Sequence, residues 1–167
     1  VGTSMSRPVE PSISRYHPTA HSVAGRSTLA PTLGDVLRWR ARESAGVCAY
    51  RYLLDDGSEI SMTYSELDQR ARTIAAEIQS YVDVGQRVLL VYPPGIEFVA
   101  AFMGCVYAGA LAVPSTQPRP NRPMTRIATI AEDSLAAIAL TNRHTLDTLA
   151  IARLEPSLQE ITWIASD

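Results

Sequence analysis

Apolar positions after residue 31 change period several times, and each change marks an element. Thr32 precedes Leu33, Val36, Leu37 and Ala41, which share one helical face, with Asp35 at the third helical position. That pattern predicts a short amphipathic helix with Thr32 as its N-cap. Val47 to Leu54 and Glu59 to Thr63 are β-rich runs around Asp55-Asp56-Gly57-Ser58, a turn sequence in which Asp and Gly accept unusual backbone angles. They should pair as a hairpin. Thr63 and Glu66 then form a capping box, and Leu67, Ala71, Ile74, Ala75 and Ile78 repeat at helical spacing until Asp83 and Gly85. A helix of about four turns follows.

Beyond this point strands and helices alternate. Arg87 to Tyr92 is a continuous apolar run of the kind buried on both faces of a parallel sheet, and Pro93-Pro94-Gly95 stops it. Ile96 to Ala110 reads as a helix with Glu97 in its first turn, where a carboxylate complements the helix dipole. Leu111 to Val113 is the next strand, ended by Pro114; Met124 to Ser134 is a helix, Ala136 to Leu140 a strand, Thr145 to Leu154 a helix and Ile161 to Ala165 a strand. The alternation predicts an α/β fold: a partial parallel sheet with flanking helices and an N-terminal β-hairpin. Phe98 to Pro118 carries no charge and is long enough to span a bilayer. Pro114 and the polar residues after it would break such a span, so the reading is a buried helix feeding a buried strand, with no transmembrane segment. Gly104, Ala108 and Gly109 read as close-packing positions against the sheet.

Residues 1–31 differ, with six Ser, four Pro and two Gly and no apolar period. They cannot bury enough surface to offset their ordering entropy and read as a disordered tail before one domain over 32–167. The whole chain has 167 residues, 46% hydrophobic and 19% charged, a globular composition that supports a core without disulfide or metal. Its net charge of −2 offers no general attraction to nucleic acid or to an anionic membrane. All 15 basic residues are arginine. That excludes, within this chain, Schiff-base chemistry and the phosphate-binding lysine of a P-loop. Cys48 and Cys105 lie in apolar runs without ligand spacing and read as core residues in a reducing compartment. No apolar stretch of signal-peptide length stands at the N-terminus, so the expected location is cytoplasmic.

The dinucleotide-binding reading fails because Gly95, Gly104 and Gly109 have the wrong spacing. G-x-S-x-G, H-E-x-x-H and C-x-x-C are absent as well. His144 reads as a surface or capping residue, and the pairs Asp55-Asp56 and Glu132-Asp133 as solvated acids. Two loops draw interest because ligands bind at the carboxyl ends of parallel strands. One is Tyr92-Pro93-Pro94-Gly95, leading into a helix N-terminus. The other runs from Pro114 to Pro123, with four prolines, Arg119, Arg122 and no acid. Such proline density holds an extended conformation and presents the arginines on a stiff strip, or simply makes a rigid crossover with solvated charges.

At these loops the chain resembles the fatty acyl-AMP ligases, relatives of acyl-CoA synthetases and peptide-synthetase adenylation domains within the adenylate-forming superfamily. The resemblance is carried by Thr63-Tyr-Ser-Glu-Leu67, Val88-Leu-Leu-Val-Tyr-Pro-Pro-Gly95 with Glu97 and Phe98, Ala101-Phe102, Gly104-Cys105, Tyr107-Ala-Gly109, Ala112-Val-Pro114 and Pro118-Arg-Pro120. It covers about Thr32 to the C-terminus. It implies activation of a fatty acid by ATP and Mg2+ to an acyl-adenylate with release of pyrophosphate. Transfer of the acyl group to the phosphopantetheine of an acyl carrier protein or polyketide synthase carrier domain would follow. The family's glycine-rich phosphate loop with its lysine, and its catalytic lysine, have no counterpart before Asp167. The chain thus resembles the first part of the large N-terminal domain, expected to be inactive by itself and to bind no ATP or Mg2+ tightly. No position matches a catalytic motif; Tyr92, Gly95, Arg119 and Arg126 are candidates for shaping or lining the site. Each also has a plainer reading: Tyr92 as strand-end packing, Gly95 as turn geometry, the arginines as surface charges. The alternative function is a standalone non-catalytic α/β interaction module. With its sheet incompletely covered, such a lobe is expected to expose Leu89, Leu90, Val91 and Leu111 to Val113 and to self-associate.

Overall fold

A computed structural model describes residues 32–116, 123–149 and 155–167. The tail over 1–31, Arg119 and Arg122 of the proline-rich loop, and the end of the helix expected to reach Leu154 lie outside the described residues.

The N-terminal layer follows its caps. Helix α1 (Leu33–Glu43) starts where the Thr32 hydroxyl accepts the Asp35 N–H at 3.1 Å and the Asp35 carboxylate accepts the Thr32 N–H at 3.1 Å. Its buried side only partly matches the apolar spacing: of the expected face Leu37 is buried and Ala41 half-buried, but Leu33 and Val36 are exposed and Gly34 is buried in their place. Gly34 decides this. A methyl group there would already touch the Tyr107 ring at 3.4 Å, so the helix docks through its smallest residue. Strands β1 (Cys48–Leu53) and β2 (Glu59–Thr63) pair antiparallel, with Tyr50 opposite Met62 and Tyr52 opposite Ile60. Cys48, expected in the core, is exposed because its apolar run forms this two-stranded surface layer instead of the central sheet. Helix α2 (Tyr64–Gln79) carries the Thr63–Glu66 capping box and buries Leu67, Ala71, Ile74, Ala75 and Ile78, all five expected positions.

The second layer is a parallel sheet in the order β4-β3-β5-β6, made of β3 (Arg87–Leu90), β4 (Leu111–Pro114), β5 (Ile138–Thr141) and β6 (Thr162–Ala165). Helices α3 (Ile96–Ala108), α4 (Thr125–Ser134), α5 (Arg143–Thr148) and α6 (Pro156–Gln159) complete it. Side chains alternate across the sheet as the pleat requires. Val88, Leu90, Tyr92, Ile138, Leu140 and Ile164 face α2 and α3, whereas Leu89, Val91, Ala139 and Trp163 face α4 and α6. The expected exposure of Leu89, Leu90 and Val91 is not found; all three are fully buried, and of the positions expected to be exposed, Leu111 on edge strand β4 is. Gly104 packs against α2 rather than the sheet, and Gly109 ends α3 in the left-handed conformation at φ 72°. Helix α5 starts two residues earlier than expected because the Asn142 side chain accepts the Thr145 N–H at 2.8 Å. Among the described residues no helix is long and apolar enough to cross a membrane.

Cys105 occupies the α2–α3 core, and burial pushes its thiol from 9.0 up to about 12. A raised thiol pKa favours the neutral form in the folded state. Between pH 9 and 12 the unfolded chain ionises this group while the folded chain does not, so stability falls as pH rises. The expected loss is up to about 1.4 kcal/mol per pH unit from this group. Urea titrations across that window should show it, with a shallower slope for Cys105→Ala; an equal slope in both proteins would remove Cys105 as the cause.

Candidate functional site

The sheet changes direction of growth at β3. The β3–α3–β4 unit adds its strand on one side, and the β4–α4–β5 connection crosses to the other, with α3 and α4 on opposite faces. Between the carboxyl ends of β3 and β5 the two loops diverge, which is where open parallel sheets bind ligands.

A cleft of about 210 Å³ lies there. The loop after β3 supplies Pro93, Pro94 and Gly95, α3 supplies Ile96 and Glu97, and Asn142 comes from the end of β5. The hairpin forms the opposite wall with Tyr52, Leu54, Ile60 and Met62. Of these, Tyr52, Ile60 and Met62 share one hairpin face by register. The lining is therefore apolar apart from the Asn142 amide, the Glu97 carboxylate and the Tyr52 hydroxyl. Glu97 pairs with Arg70 at 3.0 Å, so its charge is balanced from α2. Such a lining suits an uncharged, largely apolar group, and offers no nucleophile with a base beside it.

The sequence-based candidates separate in space. Tyr92 is buried behind the rim, and its hydroxyl shares a 2.6 Å hydrogen bond with the Ser166 hydroxyl after β6. Burial raises its phenol well above the ordinary tyrosine value against the Ser166 bond, so it stays protonated. Gly95 lines the cleft as the N-cap of α3, which has no side-chain cap. Arg126 is exposed in the first turn of α4, on the layer across the sheet from α3. Arg119 lies outside the described residues. The hairpin wall and Asn142 were not among the candidates. The β-rich runs predict the hairpin, but nothing local to the chain says what the face carrying Tyr52, Ile60 and Met62 meets. Among the described residues there is no group of three or more His, Cys, Asp or Glu able to hold a metal ion.

The profile of the AMP-binding enzymes matches residues 37–166, most of the chain. The chain belongs to that family. Within it, the sequence is 39% identical over 142 residues to a medium-chain-fatty-acid–[acyl-carrier-protein] ligase from Moorena producens, covering 81% of this chain and 24% of the relative. It is 34% identical over 137 residues to human disco-interacting protein 2 homolog A, covering 78% of this chain and 9% of that protein. Among solved structures, the fatty acyl-adenylate ligase of L. pneumophila in complex with acyl adenylate and pyrophosphate superposes with a TM-score of 0.71 at 33% identity. That match covers 80% of this chain and 23% of the neighbour. The chain thus spans about a quarter of the length of the ligases it matches. The family's parallel sheet with flanking helices is the architecture expected from the alternation of elements, and the family resemblance drawn from the motifs is found across the same residues.

Proposed function

We propose that this chain forms the first part of the large domain of a fatty acyl-AMP ligase. The complete enzyme joins a fatty acid and ATP to give an acyl-adenylate and pyrophosphate. It then passes the acyl group to the phosphopantetheine thiol of an acyl carrier protein or a polyketide synthase carrier domain. The observation that carries this reading is the likeness, over 80% of the chain, to a ligase whose structure holds acyl adenylate. The apolar lining of the switch-point cleft supports it, since a hydrocarbon substrate needs such walls. Tyr92 and Gly95 shape the rim of that cleft. The lysines that the family reaction uses on ATP lie in other parts of the complete ligase, because the chain's basic groups are all arginine.

ATP–pyrophosphate exchange tests the reading. A complete ligase containing these residues is expected to exchange in a fatty-acid-dependent manner, and the 167-residue chain by itself is expected to give none. Exchange by the purified chain would overturn that reliance on lysines in other segments. Absence of exchange by the complete protein with every medium- and long-chain acid tried would instead favour a non-catalytic module.

A further inference from the structure

The sheet ladder between β3 and β5 ends at Leu90 opposite Leu140, yet the chain needs one more residue on each side before the cleft opens. Val91 follows on one side; its N–H still reaches the Leu140 carbonyl at 2.9 Å. Beyond Tyr92, Pro93 and Pro94 have no N–H to extend the ladder. The Val91 carbonyl is nonetheless satisfied. It accepts the hydroxyl of Thr141 at 2.6 Å, and Thr141 is fully buried, one of two buried polar residues among those described.

A hydroxyl at zero exposure in an apolar core is costly unless bonded, and a valine would fill the same volume without one. What the hydroxyl adds is a fixed position. Thr141 immediately precedes Asn142, and Val91 stands two residues before Pro93, so this one bond joins the roots of both lips of the cleft. The Tyr92–Ser166 bond and the Ser166 N–H to Thr141 carbonyl bond at 3.0 Å extend the clasp to β6. We infer that Thr141 is a positioning residue: its hydroxyl, through Val91, sets the Pro93–Gly95 rim against Asn142 so that the cleft receives the apolar part of its ligand preformed. The kinetic consequence rests on the ligase reading above; the positional one does not.

The test uses the complete ligase with Thr141→Val, Thr141→Ser and Tyr92→Phe. Thr141→Val is expected to raise KM for the fatty acid about tenfold, with kcat and the KM for ATP changing less than about threefold, and Thr141→Ser, which keeps the hydroxyl, is expected to restore KM. In amide hydrogen exchange, Val91 and Ser166 should exchange faster in Thr141→Val, and Ser166 in Tyr92→Phe, with α2 unchanged. Equal losses in kcat and both KM values, no change at all, or a serine variant no better than the valine one would overturn the inference. Unchanged exchange at Val91 and Ser166 would overturn it whatever the activity. A wild-type enzyme that makes no acyl-adenylate defeats the ligase reading alone, and the exchange experiment then decides the clasp; if Thr141→Val does not fold, Thr141→Ala, which also removes the hydroxyl, takes its place in the comparison with Thr141→Ser.

Discussion

Replacing Gly104 by leucine is expected to destabilise the domain by about 3 kcal/mol or more, a large share of the stability of a marginal domain. The reason is the separation of α2 and α3. A Cβ at position 104 would stand 2.5 Å from Ile74 Cγ2 and 2.8 Å from Ile74 Cβ, distances that real side chains do not tolerate. Ile74 cannot step aside: it is β-branched, held in essentially one helical rotamer, and only 2% exposed. The helices must part, and the apolar contacts between them are lost together. Gly104→Ala sets the gain in helix propensity, about 1 kcal/mol, against an overpacking cost of about 1–3 kcal/mol, so a smaller net loss is expected. Pairing it with Ile74→Ala removes the colliding carbons. The double variant should then be more stable than the sum of the single effects by over about 1 kcal/mol. Denaturant midpoints give all four values; a leucine variant within about 1 kcal/mol of wild type, or strict additivity in the cycle, would show that the helices do not meet at this point.

Gly104 also marks where sequence reading stops. Its helix was legible from the apolar run, and its smallness suggested a close approach, but the partner assigned was the sheet and the partner found is Ile74 of α2. The same gap appears at Gly34. Periodicity weighs large apolar side chains, so it finds Leu37 but also selects the exposed Leu33 and Val36, whereas α1 docks through Leu37 and a residue with no side chain. Caps and turns fared better because their physics is local. Thr32 with Asp35, Thr63 with Glu66, and the Asp56–Ser58 turn each satisfy their own backbone within four residues. Helix α6 has only four residues, too few to show a period, and was missed. The site follows this division. Pro93-Pro94-Gly95 announced a loop at a strand end, but the strand order that makes it a switch point, and the hairpin that walls it, depend on contacts between distant segments. Thr141 gives no signal at all: the expected strand stops at Leu140, and a threonine at a strand end is ordinary β composition.

Tyr92 separates packing from hydrogen bonding at the cleft, and Tyr92→Ala is expected to cost about 3–5 kcal/mol. The ring is 4% exposed and belongs to the core between the sheet and α3, so truncation leaves a cavity that the surrounding strands cannot collapse into. Tyr92→Phe keeps the ring and loses only the bond to Ser166, for about 1 kcal/mol, close to the usual net value of one hydrogen bond. The phenylalanine variant has a second signature. Burial holds the Tyr92 phenol above its ordinary value in the folded state, so the unfolded chain releases this proton first and stability falls above about pH 10. Removing the hydroxyl removes that contribution, leaving Cys105 and Tyr107, whose burial acts in the same direction. Urea midpoints at neutral and alkaline pH read both effects on one set of samples. Equal losses for alanine and phenylalanine would mean that the hydroxyl, not the ring, holds the strand end. If the ring dominates, the rim at Pro93 is supported from beneath by packing, and the Ser166 bond serves to orient it.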